Sequence, residues 1–258
     1  MHRVYRAFRV GTFALLAGVV TTSVASAQGT GCSALPSHSQ LQSALSAVVA
    51  VVGSGLNLHM WATVVDRDGV VCAVAFSGSD RGAQWPGSRV ISAQKANTAN
   101  AFSLNGLALS TANLYSAVQP GGSLFGLQES NPVNTTVAYG GAGQNYGQAN
   151  DPMVGGKIGG VNVFGGGLAL YSATRSVIGG VGVSGDTSCS DHDIAWRVRA
   201  ALGLDNLLGV GGVSGDANRP DNIVYDVRGG PAEGASATPN ASIRAIPARC
   251  PLSAETRR

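Results

Sequence analysis

Trp61-Ala62-Thr63-Val64-Val65-Asp66-Arg67-Asp68-Gly69-Val70-Val71-Cys72-Ala73-Val74-Ala75-Phe76 is the stretch that decides the fold. Two β-branched, apolar runs, 61–65 and 70–76, flank a polar turn in which Gly69 is free to take a positive φ. This reads as a hairpin. Its apolar residues are nearly continuous rather than alternating, as in strands covered on both faces. An antiparallel sheet with helices packed over it is the expected centre of the molecule.

Upstream, residues 40–52 carry Leu41, Ala44, Leu45, Val48, Val49 and Val52 at helical spacing, with Ser37 or Ser39 as a cap and Gly53-Ser54-Gly55 as a stop. Downstream, a second helix is predicted over 88–104, with Ile91, Ala96, Ala99 and Phe102 facing inward. A short helix over 110–118 ends at Pro120-Gly121-Gly122. Strands return at 160–164, 167–171 and 177–183, and Gly165-Gly166 turns between the first two. A last helix over 191–204 opens on Asp191 and Asp193, which suit the helix dipole, and buries Ile194, Val198, Ala201 and Leu202. The expectation is one mixed α/β (α+β) domain with five strands. Two segments lack periodicity. The loop 119–157 is long enough to be functional, an interface arm or a partly ordered insertion. The irregular extension 205–258 is expected to lie over the surface.

The start of the chain reads as an export signal over 1–27. Arg3, Arg6 and Arg9 precede an uncharged apolar run, and Ala25-Ser26-Ala27 offers a cleavage site before Gln28. The apolar run is shorter than the ~20 residues that span a bilayer. The chain has 17 basic and 14 acidic residues, and the signal holds three of the basic ones, so 17 − 3 leaves 14 of each sign. With no basic run left, nucleic acid and anionic membranes are poor partners. A secreted or periplasmic domain is expected, and the even set Cys32, Cys72, Cys189 and Cys250 suits disulfides in such a compartment. Four cysteines allow three pairings. Joining the terminal segments as Cys32–Cys250 leaves Cys72–Cys189, and this is the expected set.

Few motifs carry chemistry. Gly165-Gly166-Gly167 lacks the Lys-Ser/Thr of a phosphate loop. Gly182-Val183-Ser184-Gly185-Asp186 fails as a nucleophile elbow at its fifth position. Without a C-x-x-C-H motif, covalent c-type haem is excluded. His38, His59 and His192 are the histidines after the signal, and Lys95 is the lone lysine between Gln28 and Lys157.

Three segments in order resemble the GlcG/HbpS family: Val64-Val65-Asp66-Arg67-Asp68-Gly69, then Lys95-Ala96-Asn97-Thr98-Ala99, then Gly179-Gly180-Val181-Gly182-Val183-Ser184-Gly185-Asp186, with Asp191 and Ala195 fitting the helix that follows. The match covers roughly 40–204, and the 119–157 loop and the tail depart from it. The resemblance implies a profilin-like five-stranded antiparallel sheet flanked by helices, assembled into a homo-oligomer. Some relatives are exported and bind haem, or are linked to iron sensing and haem degradation. A related domain is fused to corrinoid adenosyltransferases. The leading expectation is therefore an exported, non-enzymatic protein that binds haem or a related small molecule non-covalently. An enzyme acting on haem or a small metabolite, and an accessory subunit of an exported redox system, are the rivals. The site is expected in a groove between the 88–104 helix and the loop from Ser184 to His192. There Lys95, with Arg81, would meet carboxylates, Thr98, Ser184 and Asp186 would line the ligand, and His192 or His59 would hold the metal.

Overall fold

The computed structural model describes residues 31–52 and 55–223. Residues 1–27, expected as an export signal, Cys250 and the extension beyond 223 lie outside the described residues.

Helix α1, His38–Val51, opens with a capping box: the Ser37 side chain accepts from the Gln40 backbone N–H, and the Gln40 side chain accepts from Ser37. The hairpin forms as β1, Trp61–Asp66, and β2, Val71–Phe76. Gly69 takes φ +77° at the turn, and buried Asp66 accepts N–H bonds from Asp68 and Val70, both at 2.9 Å. Helix α2, Ser88–Phe102, follows. The short helix α3, Thr135–Tyr139, is capped by Asn134. Strands β3, Gly167–Tyr171, and β4, Val177–Ser184, lead into helix α4, Ser188–Ala201, whose cap is Thr187.

The sheet is antiparallel throughout, in the order β2-β1-β4-β3. Its two faces explain the continuous hydrophobicity of the hairpin. Ala62, Val64, Ala73 and Ala75 pack with Leu41, Leu45, Ile194 and Val198 of α1 and α4. Trp61, Val65, Val71 and Val74 pack on the opposite side with Val90, Ala93 and Ala96 of α2.

Four strands are present among the described residues, not five. Residues 160–164 stay irregular because Gly159 and Gly160 both hold left-handed backbone, at φ +62° and +75°. Their polar groups are met by α2 instead: Asn97 Nδ2 donates to Gly160 O at 2.9 Å, and Asn162 N donates to Thr98 Oγ1 at 3.0 Å. The region expected as a helix over 110–118 is two short 3-10 turns, Thr111–Leu114 and Ser116–Val118.

The long loop is a packed part of the molecule. Ala138, Met153 and Ile158 join the core between α2 and the sheet. Gly155 N donates to Val71 O at 2.8 Å and Val71 N donates to Gly156 O at 2.9 Å, so this segment covers the edge of β2. Residues 205–223 are likewise tied down. Leu207 and Val210 join a small core with Ala169 and Tyr171, and Asp221 pairs with the buried Arg199 at 2.5 Å.

The expected cysteine pairing is corrected. Cys32 is bonded to Cys72, with their Cα atoms 5.4 Å apart, so neither the Cys32–Cys250 nor the Cys72–Cys189 bond forms. The segment at Cys32 lies against the hairpin rather than reaching across the molecule: a Cβ on Gly31 would sit 2.8 Å from the Asp66 carboxylate. Cys189 is also disulfide-bonded, and none of the cysteines among the described residues is free.

Candidate functional site

Helix α2 approaches the sheet closely because β3 and β4 present glycines to it. A Cβ on Gly182 would meet Ser92 O at 2.0 Å, and one on Gly180 would meet Ala96 O at 2.4 Å. Gly167 is as tight, 2.5 Å from Lys95 O. This approach carries Lys95 down against the end of β4. Its Nζ donates to Val183 O at 3.0 Å and to Asp191 Oδ2 at 2.7 Å, and both side chains are buried. Burial pushes the Lys95 ammonium below and the Asp191 carboxyl above their ordinary values, each opposed by the other's charge.

The loop after β4 is held by the same carboxylates. Asp191 Oδ1 accepts from Asp186 N at 2.9 Å. Asp186 accepts from Leu56 N at 2.8 Å, Leu58 N at 3.2 Å and Thr187 N at 2.5 Å. Above this network lies a cleft of about 450 Å³, lined by Trp85, Ser88, Ile91, Phe164, Thr187 and Ser188 beside Lys95, Ser184, Asp186 and Asp191. Trp85 and Phe164 are 50% and 49% exposed.

The structure brings Lys95, Ser184 and Asp186 together there, and the other expected site residues stand elsewhere. Thr98 is buried, donating to Gln94 O and accepting from Asn162 N. Arg81 lines a different cavity, which shares only Gly87 with this cleft. His59 is exposed, hydrogen-bonded to Ser77 Oγ at 3.1 Å and set edge-on to Phe76. His192 is buried, and its Nε2 accepts from Ile223 N at 3.2 Å. Its Nδ1 has no hydrogen-bond partner among the described residues. Neither histidine lines the cleft, and Lys95 pairs with Asp191. The residues missed from sequence are Trp85, Phe164 and Asp191. Trp85 stood visible in a Gln-Trp-Pro-Gly turn, where a large aromatic has little core to fill. Asp191 was visible as an acid one helix away from a solitary lysine.

Burial lowers His192 from 6.5 to about 4. The folded protein therefore holds this imidazole neutral where the unfolded chain binds a proton. Stability falls as pH drops from 6.5 towards 4, by on the order of 3 kcal/mol. In urea titrations at several pH values, His192→Gln, which keeps an acceptor for Ile223 N–H, should lose that slope. Parallel pH profiles for the two proteins would contradict the assignment.

Among the described residues, one cluster has metal-ligand spacing, Cys32, Asp66 and Cys72, and its two sulfurs are consumed by their disulfide. No helix among those residues is long and apolar enough to cross a membrane.

A helix-covered antiparallel sheet with an aromatic-rimmed cleft at the end of β4 defines a mixed α/β domain. The chain belongs to the family of haem-degrading, HbpS-like proteins, whose model matches residues 37–200. Among solved structures it is similar to Klebsiella pneumoniae protein ORFY, a DUF336 protein, at 26% identity over 64% of this chain and 86% of that one, TM-score 0.44. It is also similar to a PduOC:haem complex, at 25% identity over 64% and 91%, TM-score 0.45. HbpS matches at 17% identity over 64% and 86%, TM-score 0.42. Among curated proteins none matches.

Proposed function

We propose that this protein binds haem or a related tetrapyrrole non-covalently in the cleft between the start of α2 and the loop after β4. One observation carries the reading beyond family membership: two half-exposed aromatic side chains, Trp85 and Phe164, line one cleft of about 450 Å³. With Ile91 they offer apolar surface to a flat macrocycle. The hydroxyls of Ser88, Ser184 and Ser188 offer hydrogen bonds to its carboxylates. Lys95 and Asp191 neutralise each other on the floor, and their role is to hold the loop in place.

The residues fit the ring better than the iron. Among the described residues no histidine, cysteine, methionine or tyrosine lines the cleft, and the proposed recognition rests on the macrocycle. The metal role of His59 or His192 is a narrower form of the same proposal. His59 is open to solvent, whereas His192 would first have to release Ile223 N–H. Bound haem would supply redox-active iron, and this chain's residues would bind and orient it. Trp85→Ala with Phe164→Ala should weaken hemin binding at least about tenfold, since each stacked ring is worth ~0.5–1.5 kcal/mol beyond its buried area. His59→Ala should move the Soret band only if His59 is the ligand. Unchanged affinity in the aromatic double variant would remove the cleft as the site.

The proposal extends to export and self-association. The Cys32–Cys72 bond suits an oxidising compartment, and balanced charge lowers the barrier to assembly. Native and denaturing mass spectrometry of the exported chain should give a polypeptide beginning at Gln28 in a multiple of its own mass. A monomer retaining residues 1–27 would contradict both.

A further inference from the structure

We propose that the 119–157 segment builds a second ligand site, for a small aromatic monocarboxylate, independent of the haem reading. The cavity measures about 430 Å³. Trp61 and Arg89, from β1 and α2, and Tyr139 and Tyr146, from the long segment, line it. Arg81 and Asp80 line it as well.

The aromatic walls are fixed. Tyr146 Oη donates to Tyr139 O and Gly140 O, both at 3.2 Å, and the Arg89 guanidinium carbon lies 3.7 Å from the Tyr146 ring centroid. Trp61 Nε1 donates to Gln84 Oε1 at 2.9 Å. Trp61 is buried and stacked on Phe76, and Arg89 covers a face of Tyr146, so the exposed Tyr139 is the ring open to a flat apolar ligand.

The charges in the cavity are not equivalent. Arg89 is spent: it forms a two-pronged pair with Asp151 and donates from Nη1 to Ala138 O at 2.8 Å. Asp80 is turned to its own turn, accepting from Gly82 N at 2.8 Å. Arg81 has no carboxylate partner among the described residues. Its guanidinium carbon lies 5.5 Å from the Tyr146 centroid, on the ring that Arg89 also covers. An exposed guanidinium without a carboxylate, beside an aromatic-walled cavity, is matched by a planar acid. The ring packs against Tyr139 while the carboxylate takes the fork of Arg81.

The test is isothermal titration of the full chain with 2-naphthoate and its neutral counterpart 2-naphthamide. Naphthoate should bind at least about tenfold more tightly than the amide, the worth of one charge-assisted hydrogen-bonded pair. Arg81→Gln should erase that preference, and Tyr139→Ala should weaken both ligands. Trp85→Ala, in the other cleft, should change neither. Absence of naphthoate binding, a preference that survives Arg81→Gln, or its loss in Trp85→Ala would each overturn the proposal.

Discussion

Lys95→Met is expected to cost about 3–5 kcal/mol of stability, the range for removing one partner of a buried ion pair. Methionine preserves the length and much of the packing of the side chain but leaves the Asp191 carboxylate buried without its counter-charge. Asp191→Asn should rescue much of the loss, because the amide oxygen still accepts the Asp186 N–H now bonded to Asp191 Oδ1 at 2.9 Å. The pH dependence gives the sign independently. Burial already raises Asp191 in the folded protein, and removal of Lys95 raises it further. A carboxyl with a raised folded pKa favours folding while protonated and loses that advantage as pH rises through it. The deficit of Lys95→Met should therefore shrink towards acidic pH and be greatest near neutrality. Urea denaturation of the two single variants and the double variant measures all of this. Additive losses in the double variant would mean the pair is not coupled.

Gly182→Ala is expected to destabilise by at least ~3 kcal/mol, at the upper end of overpacking effects. Its added Cβ would stand 2.0 Å from Ser92 O and 2.5 Å from Ala96 N, both backbone atoms of a helix interior. Relief requires lifting α2 off the sheet, which also draws Lys95 away from Asp191 and opens the floor of the cleft. Gly106→Ala is the control, since nothing lies within 4 Å of the Cβ it would add. Thermal denaturation of the two variants separates them. Equal midpoints would contradict the close approach that positions the site.

These two positions show what the sequence made legible. The hairpin, α1, α2, β3, β4 and α4 could be read because their periodicity and turn residues agree with the tertiary structure. Residues 160–164 read as a strand because Val161, Val163 and Phe164 are apolar, but the glycines at 159 and 160 turn the backbone out of extension. The run 177–183 reads as a strand, but that Gly180 and Gly182 within it admit a helix backbone is a long-range contact that no local pattern reports. A cleft lies beside Lys95, Ser184 and Asp186, where the strand end and the lysine helix, both recognisable in the sequence, meet. The role expected for His192 depended on which way its ring faces. That was settled by Ile223, 31 residues further along the chain, in a stretch that reads as formless. The cysteine pairing was illegible for a similar reason, because it depends on the path of residues 31–35 over the hairpin.

The claim that the cleft recognises a tetrapyrrole by its ring faces is tested most directly by titrating the protein with hemin and, separately, with metal-free protoporphyrin IX, following absorbance and tryptophan quenching. Binding of both with affinities within about tenfold, and comparable weakening of both by Trp85→Ala with Phe164→Ala, is the predicted result. Binding of hemin alone, or of neither, would contradict it.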